Sequence, residues 1–76
     1  MAKVVAFVLI VADIGKEHDI ISQLKKIKGV IEPRTVYGEF DVIARIETDD
    51  MHSLDEVVTK VRKISSVIRT VTLISS

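Results

Sequence analysis

No cysteine occurs in the 76 residues. That excludes a disulfide framework, a thiolate nucleophile and a thiolate metal site. Neither sign of charge is in excess: 11 Lys and Arg balance 11 Asp and Glu. A dominant electrostatic attraction to DNA, RNA or an anionic membrane is thereby excluded, although local patches are not. Asparagine is missing and Gln23 is the single glutamine, a hint of the thermophile's avoidance of thermolabile side chains. No Gly-rich loop of the phosphate-cradling kind is present. The apolar run Val4 to Ala12 is too short to span a bilayer and lacks a signal-peptide cleavage pattern after it. A cytoplasmic protein with no membrane partner is the expectation.

What is present is an unusual load of apolar side chains. Residues 1–76 make one domain, 47% of it hydrophobic. A chain this short buries roughly 60% of its unfolded surface. So small a body cannot hide that much apolar material, and oligomerisation is expected.

Val4 to Ala12 has no polar alternation, which reads as a central strand buried on both faces. Asp13-Ile14-Gly15 breaks it. From Lys16 the period becomes helical, with Ile20, Ile21, Leu24 and Ile27 on one face. Glu17 and Asp19 in the first turn and Lys25, Lys26 and Lys28 in the last suit the helix dipole, and Gly29 is a stop signal. Val30 to Tyr37 is the second strand. The sole proline, Pro33, cannot donate a ladder bond, so this strand belongs at an edge or carries a bulge. Phe40 to Thr48 is the third strand. Asp49 or Asp50 caps a second helix whose stripe is Met51, Leu54, Val57, Val58 and Val61. Val67 to Ile74 is the last strand. The order β-α-β-β-α-β predicts an α+β, ferredoxin-like sandwich: an antiparallel four-stranded sheet with two helices on one face. The first and third strands lie side by side in the centre, read as parallel neighbours. The other face of the sheet is left for a second subunit.

Tyr37-Gly38-Glu39-Phe40-Asp41 joins the second and third strands. Gly38 first in a two-residue loop suits a type II′ turn. In that register Tyr37 opposes Phe40, an aromatic cross-strand pair, and Glu32 opposes Arg45, an ion pair. Ile31, Pro33, Thr35, Tyr37, Phe40, Val42, Ala44 and Ile46 then share the helix-covered face. Val30, Glu32, Arg34, Val36, Asp41, Ile43, Arg45 and Glu47 share the other.

Asp41 is the foremost candidate for chemistry. One reading makes it an ordinary strand-end carboxylate, solvated or paired with Arg34 or Arg45. The other makes it the acceptor for a ligand ammonium beside N–H groups exposed by the Gly38 turn, the combination a zwitterion needs. His18 and His52 lie near helix starts that the parallel reading puts at one end, close to Glu17, Asp19, Asp49 and Asp50. Their spacing matches no compact metal motif, and acids at helix starts answer the dipole, so no metal site is assigned. Thr70 and Thr72 alternate onto one face of the last strand, which β-propensity alone explains. No Ser, His and Asp set has a nucleophile signature. Base stacking on the first and third strands would have only Phe7 and Phe40 to use, so RNA binding is rejected. The acylphosphatases, which share the topology, use an Arg and an Asn, and this chain has no Asn.

Three features together resemble one family. They are the opening strand Ala6 to Val11 followed by an amphipathic helix; the segment Gly29-Val30 … Tyr37-Gly38-Glu39-Phe40-Asp41 with its Gly-x-x-Asp turn; and the closing strand Val67 to Ile74 with Arg69-Thr70-Val71-Thr72. Over its whole length the chain resembles the C-terminal effector-binding (RAM) domain of the Lrp/AsnC transcriptional regulators. The family's N-terminal helix-turn-helix is not in this sequence, so a stand-alone form without direct DNA binding is expected. The resemblance implies sheet-to-sheet dimers assembling into rings, often octamers, with small effectors, mostly amino acids, bound between dimers. It places Tyr37, Gly38, Glu39, Phe40 and Asp41 on one wall of the pocket and gives Thr70 and Thr72 as hydroxyl donors. It also implies pairing with full-length regulators of the family. The expected function is a non-enzymatic, cofactor-free amino-acid-binding module. The rivals are a purely structural assembly module and a small dimeric enzyme of the same fold, for which no catalytic acid–base group is evident.

Overall fold

The computed structural model describes residues 3–75. The elements are β1 (Val4–Ala12), α1 (Glu17–Leu24), β2 (Val30–Thr35), β3 (Val42–Thr48), α2 (Met51–Arg62) and β4 (Val67–Ile74). They form one four-stranded sheet in the order β2-β3-β1-β4, with all three pairings antiparallel. This is the ferredoxin-like βαββαβ sandwich.

β1 carries apolar residues throughout, yet the fold treats its two sides differently. Ala6, Val8, Ile10 and Ala12 are buried; Val5, Phe7, Leu9 and Val11 are half-buried. The first set joins Val42, Ala44 and Ile46 of β3 under Ile20 and Leu24 of α1 and Leu54, Val57 and Val61 of α2. Both helices therefore cover one face. Among the described residues no element covers the other.

β1 and β3 pair antiparallel, which corrects the parallel reading. β1 leads into α1 at one end of the sheet, and β3 leads into α2 at the other. The helix starts, and with them His18 and His52, lie at opposite ends. No group of three or more metal-ligating side chains forms among the described residues.

α1 is one turn shorter than its apolar period suggests. It ends at Leu24, and Lys26 and Ile27 donate to the carbonyls three residues back, Gln23 and Leu24. These are tighter, 3₁₀-type bonds. Lys25, Lys26 and Lys28 thus follow the helix instead of ending it. α2 is capped by Asp50, whose carboxylate accepts from Ser53 N–H at 2.7 Å, an N-cap satisfying one otherwise unpaired donor.

β2 is an edge strand, as Pro33 requires, and it also carries a bulge. Ile31 pairs with Arg45 and Arg34 with Ile43, so Glu32 and Pro33 together oppose Ala44 alone. Glu32 adopts φ +51° to make the bend. The bulge overturns two expectations. Glu32 does not face Arg45: it pairs with Arg34 at 3.2 Å, and Arg45 pairs with Glu47. Val30 and Ile31 also exchange faces. Val30 opposes Ile46 and packs on the core, while Ile31 joins Arg45 on the uncovered side.

Candidate functional site

The β2–β3 connection is wider than a two-residue turn. Val36 N–H donates to the Asp41 carbonyl at 2.9 Å, and Tyr37 to Phe40 bulge beyond that bond. The cause lies at Asp41, which is tied to β1 as well as to β2. Its N–H donates to the Ile10 carbonyl at 2.8 Å. Its carboxylate Oδ2 accepts from Ala12 N–H, also at 2.8 Å. A side-chain oxygen thus satisfies the last main-chain donor of β1, an obligatory pairing in a part-buried position. No ion pair engages Asp41 among the described residues, so the pairing with Arg34 or Arg45 does not form. Its Oδ1 makes no hydrogen bond there.

The loop that Asp41 anchors is open. Tyr37 is fully exposed, so the Tyr37–Phe40 aromatic pair does not close. Gly38 sits at φ +114° with nothing near the position a Cβ would take. Glu39 is exposed and Phe40 half-buried. The Phe40 ring instead packs beneath Arg69, whose Cζ lies 5.5 Å from the ring centroid, a cation–π contact.

That contact identifies a residue the sequence reading did not single out. Arg69 opposes Val11 on β4, and Asp41 grips the residues on either side of Val11 from the β3 side. Asp41 and Arg69 therefore flank one residue of β1, with their main chains roughly 9–10 Å apart across two strand spacings. They are not paired with each other. The signal was the β1–β4 register, which local pattern does not carry.

Thr70 and Thr72 oppose Ile10 and Val8. Both are half-buried on the helix side of the edge strand. β1 separates them from the loop, so within one chain they do not meet Asp41. Thr70 and Arg69 line a shallow depression of about 340 Å³ with Arg62, Val67 and Ile68. A depression of about 390 Å³ lies at the far end of the sheet, lined in part by Lys3, Lys28, Lys60, Glu47, Asp49 and Glu56. Side chains of both signs line it, so it selects no ligand charge.

The antiparallel βαββαβ sheet with an Asp-anchored hairpin loop defines a class of small α+β domain. The model of the Lrp/AsnC ligand binding domain matches residues 5–76, and the chain belongs to that family. FFRP-DM1 shares 39% identity and superposes with a TM-score of 0.91, over 96% of this chain and 99% of that one. The hypothetical protein PHS023 from Pyrococcus horikoshii also shares 39% identity, with a TM-score of 0.90 over 96% and 89% of the two chains. A more distant likeness, of fold alone, is to the transcriptional regulator NMB0573 from Neisseria meningitidis in complex with L-Met. It has 17% identity and a TM-score of 0.84, over 96% of this chain and 49% of that one. No curated protein matches the chain. No helix among the described residues is long and apolar enough to cross a membrane.

Proposed function

We propose that this regulatory effector-binding domain takes a free amino acid and answers by changing its state of assembly. The observation that carries the reading is the Asp41 carboxylate. One oxygen is fixed by Ala12 N–H, and the other is left to accept from an ammonium. Arg69, held over Phe40, is the matching group for an α-carboxylate. The N–H groups of the open loop around Gly38 are further donors. An α-amino acid carries its two charges on one carbon, and an acid and a base on either side of one strand suit it. Membership in a ligand-binding family supports this reading, as does NMB0573 having been solved with L-Met.

The uncovered sheet face supports assembly. Phe7, Leu9, Val11, Ile43, Val71 and Leu73 are apolar there, and Leu73 is 53% exposed. A second copy laid face to face removes this surface from water. In our reading such dimers join into rings, with an octamer as the expected size, and Tyr37, Gly38, Glu39, Phe40 and Asp41 of one dimer meet Thr70 and Thr72 of the next. A ligand at that contact favours the ring by linkage, because it binds the assembled form more tightly. The module acts without catalysis or cofactor, and it joins full-length regulators of its family through the same contacts, without itself binding DNA.

The test is a thermal-melt screen of the purified protein against the twenty amino acids, with light scattering on each hit. One or a few amino acids should raise Tm and enlarge or tighten the assembly. Asp41→Asn is the informative variant. The amide oxygen still accepts from Ala12 N–H, but the charge that holds an ammonium is gone. Calorimetry should show affinity for the hit reduced at least about tenfold, corresponding to ~1.4 kcal/mol, with Tm of the free protein little changed. Unaltered affinity in Asp41→Asn would remove Asp41 from the site. No hit at all, with a large oligomer still present, would favour a structural assembly module.

A further inference from the structure

The uncovered face of the sheet is apolar with one central exception. Along β3, Val42, Ala44 and Ile46 point to the helices, so Ile43, Arg45 and Glu47 point away from them. Arg45 is the middle residue of β3, beside Phe7 of β1 and Ile31 of β2. Glu47 lies beside Val5. The two charges pair with each other, with side chains 42% and 23% exposed.

This pair is poorly satisfied by its own chain. Nη2 of Arg45 meets Glu47, while Nε is shut off from solvent without an acceptor. The side chain is otherwise 42% exposed, so the outer N–H groups of the guanidinium fork are open to a second carboxylate. Covering the face with a purely apolar surface would take both charges out of water with only each other as partners, and that desolvation outweighs what one contact returns. The face therefore suits a partner that brings charges of its own.

A second copy of this chain brings the matching ones. In a face-to-face pair related by a two-fold axis, residue i meets residue j and j meets i. Arg45 stands at the middle of a central strand, so an axis through the middle of the face brings the two β3 strands close at this point. Resting on the assembly reading above, we propose that Arg45 and Glu47 form a reciprocal charge lock between two copies. The Glu47 of each turns toward the Arg45 of the other, and the lock decides which chains pair. A copy with the same pair closes a net-neutral set of four charges. A chain with two like charges in these places is repelled, which is selection by mismatch. The apolar residues around the lock supply area, and the lock supplies choice.

Charge exchange tests this. Arg45→Glu gives a face with two carboxylates, and Glu47→Arg a face with two guanidinium groups. Sedimentation equilibrium should show the homodimer dissociation constant of each raised at least tenfold over wild type. An equimolar mixture of the two variants should recover dimers, now mixed, as native mass spectrometry reads directly. The double variant R45E/E47R should recover homodimers. Recovery in the mixture also shows that each single variant is folded. Three results would overturn the proposal: single variants that dimerise like wild type, a mixture that stays apart, or a double variant that stays monomeric. If wild type were itself a monomer, the assembly reading would fail and this inference with it. A dimeric wild type with indifferent variants would sink the lock alone.

Discussion

The two faces of the sheet are made by the same strands and meet different fates. The helix-covered face of β1 and β3 holds Ala6, Val8, Ile10, Ala12, Val42, Ala44 and Ile46, all buried. The uncovered face of those strands holds Phe7, Leu9, Val11, Ile43, Arg45 and Glu47, all partly exposed. The covered set is aliphatic and of modest volume, as a close-packed interior under two helices requires. The uncovered set has larger side chains and two charges. Surface buried by folding has one possible cover, set by chain connectivity. Surface buried by association must choose its cover, and charges provide the choice at some expense of stability.

The largest expected effect separates these two kinds of burial. Ile10 is fully buried between sheet and helices, while its neighbour Leu9 faces the other way. Ile10→Ala should cost about 2–5 kcal/mol through lost transfer energy and a residual cavity. In urea unfolding the midpoint should fall at every protein concentration. Leu9→Ala should behave differently. If association stabilises the fold, the wild-type midpoint rises with protein concentration by mass action, and Leu9→Ala should flatten that rise. Equal concentration dependence in wild type and Leu9→Ala would break the contrast between the faces.

Two glycines sharpen it on a smaller scale. Gly29 and Gly38 have φ of +100° and +114°, where any L side chain is strained by roughly 1–2 kcal/mol. A Cβ at Gly29 would also come within 3.2 Å of Val57 Cγ2, under α2. At Gly38 it would meet nothing. Gly29→Ala should therefore lower the unfolding free energy more than Gly38→Ala does, and only Gly38→Ala should alter amino-acid binding out of proportion to stability. Equal losses from the two would mean that the close contact under α2 relaxes freely.

How much of this was legible in the sequence varies with the range of the physics involved. β1 and β4 have the bounds that their apolar runs suggest, and the Asp50 cap follows from local chemistry. The bulge was half legible. Pro33 announced an irregular edge strand, but not that Glu32 would take the left-handed turn and move Ile31 to the other face. Strand direction was misread between β1 and β3, because apolar content carries no direction and connectivity had to supply it. The loop was misjudged for a related reason. Gly38 suggested a tight turn, whereas Asp41 is bonded to β1, and that attachment sets where the hairpin opens. Asp41 stood out as a carboxylate beside a glycine turn. Arg69 did not, because its place beside Phe40 depends on a register between strands far apart in sequence.

The smallest expected effect concerns the start of α2, which is exposed and plays no part in either face. The Ser53 main-chain N–H bond, with a further bond from the Ser53 side chain and the charge field of His52, holds the Asp50 carboxyl below its ordinary value; slight burial opposes them. A carboxyl depressed in the folded state binds protons more readily when unfolded. Its contribution to stability is present above the unfolded value and is lost as pH falls through the folded one. Asp50→Ser separates this charge from the cap, since a serine hydroxyl also accepts from the N–H three residues on. Melting curves of wild type and Asp50→Ser should differ slightly at neutral pH and converge in acid, below the ordinary carboxylate range. A gap that persisted undiminished into strong acid would assign the effect to cap geometry instead of charge. A gap that also changed with protein concentration would mean that this end of the molecule lies in the assembly contact, and the division between a covered and an uncovered face would need to extend beyond the sheet.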